Sequence, residues 1–135
     1  NSIVAMAAAL VSEAHPGTTV VTDSITSRQL TESLANKQGL NQLRYKRGYK
    51  HVIHKAIELN RAGTDCHLAI ETSGHAALQE NYFLDDGAYL AAKIVIRAAR
   101  LKQEGKPISS VLADLEEPAD EKEVRIPIRT EDFGA

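Results

Sequence analysis

The chain opens on an apolar, alanine-rich run from Ser2 to His15, which Pro16-Gly17 interrupts, and this reads as a short helix. Thr18 to Thr22, "TTVVT", is β-branched throughout and reads as a buried strand, not one with alternating faces. Thr26 and Gln29 stand at capping-box spacing, and Leu30 and Leu34 then lie four apart on one helical face until Gly39. Gln42–Lys46 reads as a second strand. From Tyr49, the positions Val52, Ile53, Ala56 and Ile57 trace the i, i+3, i+4 rhythm of an amphipathic helix that closes at Ala62-Gly63. A third strand follows over His67–Glu71, and the residues after Gly74 can return antiparallel to it. Asp85 or Asp86 caps a mostly apolar helix reaching about Gln103, with Lys93, Arg97 and Arg100 as a narrow polar stripe. After Gly105-Lys106-Pro107, Ser109 caps a last short helix, and "PADEKE" reads as a polar linker.

Helices alternating with short strands predict a three-layer α/β/α fold. Its mixed sheet would have about four strands, the last of them antiparallel. In such sheets ligands gather in the loops beyond the strand ends. Glu71-Thr72-Ser73-Gly74-His75 stands at such an end and places a carboxylate, a hydroxyl and an imidazole around a glycine.

Composition narrows the function classes. A length of 135 residues fits one domain with a modest core. Sixteen basic against eighteen acidic residues give a net charge of −2 with no basic stripe, so nucleic acid is not an expected partner. No apolar run approaches the ~20 residues needed to span a bilayer, so neither is a membrane. The single cysteine, Cys66, allows no disulfide within the chain and suits a reducing cytosol. The chain starts at Asn1-Ser2 without methionine and stops in a β-like run, "EVRIPIRTEDFGA", with nothing to pair against. The expectation is a domain excised from a longer protein. Its N-terminal helix, around Ile3, Val4, Ala7 and Leu10, would pack on neighbouring domains or on its own sheet. Excision is expected to leave apolar surface bare, and the fragment is expected to self-associate.

Each candidate site has a plain alternative. Glu71, Ser73 and His75 form either a polar hairpin turn or a hydrogen-bonding cradle, because a carboxylate can accept two hydroxyl protons side by side, as a vicinal diol offers them. Lys46-Arg47-Gly48-Tyr49-Lys50 is either a solvated basic turn or an anion site using lysine charge and helix N-terminal amides. Asp85 and Asp86 precede a helix, which favours capping over metal ligation. His51 and His54 lie three apart, but no third ligand stands at zinc-like spacing. Cys66 reads as a buried, idle thiol.

"ETSGH" at 71–75, then "DDG" at 85–87 before a long helix, resembles the sugar-binding loop and following helix in the third domain of the α-D-phosphohexomutases, the phosphoglucomutase/phosphomannomutase enzymes. "HPGTTVVTDSITS" resembles that domain's first strand and turn, and "KRGYKHVI" its G-F-K-x-I segment, with Tyr49 at the aromatic position. Three segments in the right order over roughly residues 3–103 are far more specific than one. The resemblance implies a domain over residues 1–118, with 119–135 leading toward a missing C-terminal domain. It implies a substrate-binding set of Glu71, Ser73, Lys50, Gly74 and His75, with Lys50 reaching ligand phosphate or nearby oxygens and His75 bracing the loop. In this family a phosphoserine in another domain converts hexose 1-phosphate and 6-phosphate through a 1,6-bisphosphate, assisted by a magnesium ion on an Asp-rich loop. Neither loop is present here, so the fragment alone is expected to carry no catalytic residue, no metal and no activity. Its expected partners are a hexose phosphate and the other domains of the same chain. Ile70 departs from the family's Gly-Glu-x-Ser-Gly-His by filling the first position. The competing class is a non-catalytic interaction domain that keeps the fold, which the full-length sequence would separate from the enzyme.

Overall fold

The computed structural model describes residues 1–113, 115, 116, 120, 122 and 124. Four strands, β1 (Thr19–Asp23), β2 (Asn41–Tyr45), β3 (Cys66–Ile70) and β4 (Ala76–Leu78), form one sheet in the order β2-β1-β3-β4. β1 pairs parallel with both β2 and β3, and β4 returns antiparallel on β3, as the sequence predicts. Four helices cover the sheet: α1 (Ser2–Ala14), α2 (Arg28–Asn36), α3 (Tyr49–Arg61) and α4 (Gly87–Gln103). The chain leaves β1 through α2 to one neighbour, then crosses back through α3 to the other. Right-handed crossovers running in opposite directions put α2 and α3 on opposite faces, which creates a topological switch point between β1 and β3.

The core divides accordingly. Val20, Leu68, Ile70 and Leu78 pack with α1, α2 and α4 through residues such as Val4, Leu30, Leu34 and Leu90. On the other face Val21, Cys66, Ala69 and Ala77 pack on Val52 and Ala56 of α3. Cys66 and Leu68 are two apart yet lie on different faces. The register between β1 and β3 shifts there, from Thr19 opposite Cys66 to Val20 opposite Leu68, so His67 is the extra residue of a bulge. Burial pushes the Cys66 thiol up to about 11, in keeping with the idle thiol of the sequence reading.

Several local readings change. α1 lies on its own sheet: Val4, Ala5, Ala7, Ala8 and Val11 are buried, and Ile3 and Leu10 are partly buried against the same core. It does not present the bare face that one alternative required. Helix α2 is capped by Ser27, whose Oγ accepts from Leu30 N–H at 3.1 Å, and not by Thr26, which is buried and donates to the Asp23 carbonyl at 3.2 Å. Asp86, not Asp85, caps α4, accepting from Tyr89 N–H at 2.9 Å. The segment after Pro107 is a 3-10 turn, Ile108–Leu112, with Pro107 and not Ser109 at its cap position. The linker and the "EVRIPIRTEDFGA" readings lie almost wholly outside the described residues.

Candidate functional site

Beyond the carboxyl end of β3 the chain turns over Glu71–His75. Gly74 N–H donates to the Glu71 carbonyl at 3.0 Å, and Glu71 N–H donates to the His75 carbonyl at 2.9 Å. Gly74 has φ +99°, a conformation that side-chain-bearing residues rarely adopt, so glycine closes this hairpin without strain. The turn leaves Ser73 and His75 exposed and Glu71 only 5% exposed.

Glu71 is tied to the next element. Its Oε1 accepts from the Gly48 amide at 2.7 Å, the residue that begins α3. Gly48 has φ +119°, and a Cβ there would lie 3.0 Å from the His51 ring. One carboxylate oxygen is thus committed to the protein, which revises the picture of both oxygens free for a diol. Oε2 makes no hydrogen bond among the described residues. The Gly48 bond also joins the "KRGYK" segment to the turn, so Lys46, Arg47 and Lys50, all exposed, surround the start of α3. None of the three makes an ion pair among the described residues.

His75 is held on two sides. Its Nδ1 lies 2.8 Å from Asp85 Oδ2, and its ring stacks on Tyr49 with centroids 5.1 Å apart. A carboxylate can only accept, so Nδ1 is the donor of this bond. Asp85 Oδ1 also accepts from Ala76 N–H at 3.2 Å. Asp85 therefore serves the imidazole and β4, where the sequence offered only capping or metal ligation.

One residue of this region carries no signal in the sequence. Asp23, the last residue of β1, is 1% exposed, and its Oδ2 accepts from both the Thr72 hydroxyl at 2.8 Å and the Thr72 amide at 3.3 Å. A carboxylate at a strand end looks like any turn residue until its partner, 49 positions on, is placed beside it. His51 and His54 are exposed on α3. Among the described residues no three His, Cys, Asp or Glu side chains come together to hold a metal ion.

The sequence profile of the family described as phosphoglucomutase/phosphomannomutase, alpha/beta/alpha domain III, matches residues 1–118. The chain belongs to this family. A crystal structure of a phosphoglucomutase/phosphomannomutase family protein from Burkholderia thailandensis is similar, with a TM-score of 0.67 and 28% identity over 85% of this chain. The match spans only 23% of the Burkholderia chain. No curated protein matches the sequence at a significant level.

Proposed function

We propose that this chain is the sugar-recognition domain of a phosphoglucomutase/phosphomannomutase-type enzyme. That enzyme interconverts hexose 1-phosphate and 6-phosphate through a phosphoserine and a 1,6-bisphosphate. The observation that carries the reading is Glu71 itself. Its carboxylate is nearly buried at the switch point of the sheet, with one oxygen anchored on the Gly48 amide. The same turn carries the exposed Ser73 and His75, and the Gly48 bond brings in the segment of Lys50, which makes no ion pair among the described residues.

The physical logic follows from the reaction. The bisphosphate must bind in two orientations related by about a half-turn, and the equatorial 3- and 4-hydroxyls exchange places in that rotation. One anionic acceptor beside one hydroxyl can hold that pair both ways. Glucose and mannose differ at C2, outside the pair, so recognition at O3 and O4 admits both. Gly74 allows the backbone to come close to the sugar, and Lys50 supplies charge for a phosphate or a nearby oxygen. Among the described residues no three His, Cys, Asp or Glu side chains come together to hold a metal ion, and the family resemblance assigns the magnesium ion to a loop of another domain.

The test is Glu71→Gln in the multidomain enzyme that carries this chain. The variant keeps the shape but loses charge-assisted bonds worth about 1.5–3 kcal/mol. We expect kcat/KM to fall roughly ten- to a hundred-fold on both glucose and mannose phosphates. A folded variant of unchanged efficiency on both sugars would reduce the loop to a turn.

A further inference from the structure

Burying a carboxylate is expensive unless donors replace its water. At Asp23 they replace only half of it. Both hydrogen bonds to its side chain come from Thr72 and both go to Oδ2; Oδ1 is buried and has no partner among the described residues. A residue serving stability alone gains little from such an arrangement, since an apolar side chain of similar size would avoid the desolvation.

The position explains what the arrangement does. Thr22 pairs with Ile70 across β1 and β3, so the next residues, Asp23 and Glu71, leave the sheet side by side at the switch point. Asp23 reaches across that point and grips Thr72, the residue between Glu71 and Ser73. Its own backbone is fixed in turn. Thr26 Oγ1 donates to the Asp23 carbonyl at 3.2 Å, and Gln42 Nε2 donates to Thr22 Oγ1 at 2.7 Å and to Thr26 Oγ1 at 3.2 Å. A partly buried polar network thus runs from β2 through the turn after β1 to Thr72. The Gly48 amide holds the sugar turn from the α3 side, and Asp23 holds it from the β1 side.

We propose that Asp23 is a positioning residue for sugar recognition: through Thr72 it sets the Ser73 hydroxyl in register with the Glu71 carboxylate. This inference rests on the reading of Glu71 and Ser73 as the sugar contacts. Because the contact it aligns is made alike in the ground and transition states, its loss raises KM and leaves kcat nearly unchanged.

The test is steady-state kinetics of the multidomain enzyme carrying Asp23→Leu, with Thr72→Val, Ser73→Ala and Glu71→Gln alongside and folding followed by thermal melting. Asp23→Leu removes both acceptor oxygens, where asparagine would keep one for Thr72, and it avoids burying a charge, so we expect no loss of melting temperature and a KM raised about tenfold. Asp23→Leu combined with Ser73→Ala should be no worse than Ser73→Ala alone, because both act on one contact. If Asp23→Leu fails to fold, Thr72→Val removes the hydroxyl donor with little change of shape and should reproduce the KM effect. An unchanged KM in these variants, with Glu71→Gln impaired, overturns the positioning role and leaves the site reading intact. Unchanged kinetics in Glu71→Gln as well overturns both. A lower melting temperature with unaltered KM makes Asp23 structural only.

Discussion

A carboxylate stripped of nearly all its water stays useful as an acceptor only where fixed donors meet it. At Glu71 the Gly48 amide meets one oxygen, and on the proposed reading a sugar hydroxyl meets the other. The two neighbouring aspartates show how finely residue-level roles divide. Asp86→Ala removes the cap of α4 and should lower stability by about 1 kcal/mol, read by denaturant titration, with little effect on turnover. Asp85→Ala removes the partner of His75 Nδ1, so it should lower kcat/KM while α4 keeps its cap. Equal effects of the two on stability and on activity would contradict this division. At Cys66, burial holds the thiol protonated at pH 8, since its pKa is pushed up to about 11. Alkylation at that pH should therefore be slow in the native protein and fast in denaturant; rapid native labelling would place the thiol elsewhere.

Secondary elements follow from patterns spread over many residues, and these were legible in the sequence. The β-branched run of β1, the i, i+3, i+4 rhythm of α3 and the antiparallel return after Gly74 each survive displacement of one residue. Caps do not, because a cap depends on the backbone angles of a single position. Thr26-x-x-Gln29 satisfies the capping-box spacing, yet Ser27 is the residue in extended conformation before α2. Ser27→Ala should cost roughly 1 kcal/mol through the lost bond to Leu30 N–H. The turn that carries the candidate site was legible because it is local, at Glu71, Ser73, Gly74 and His75. It was not legible where β1 meets β3. No spacing rule connects Asp23 with Thr72, and the bulge at His67 breaks the strand periodicity from which a face could be assigned.

At the scale of the molecule, the described residues carry exposed apolar side chains at Ile25, Tyr82 and Leu84 and as a stripe along α4. Ala88, Ala91, Ala92, Val95, Ile96 and Ala99 recur at helical spacing and are all exposed, Val95 at 67%. Such a stripe favours association when nothing covers it. The chain on its own should therefore sediment with a mass that rises with concentration, and replacing Val95 and Ile96 with lysine should restore a monomer. A strict monomer at high concentration would contradict this. The central claim is that Glu71 reads the paired sugar hydroxyls, and a substrate analogue tests it most directly. The measurement is kcat/KM on glucose 1-phosphate and on its 3-deoxy analogue, in the multidomain enzyme and in its Glu71→Gln variant. The account predicts a loss of about tenfold for the deoxy sugar with Glu71 in place and under about twofold with Gln, since the interaction is already gone. Equal losses in both enzymes would show that the 3-hydroxyl is read by another residue.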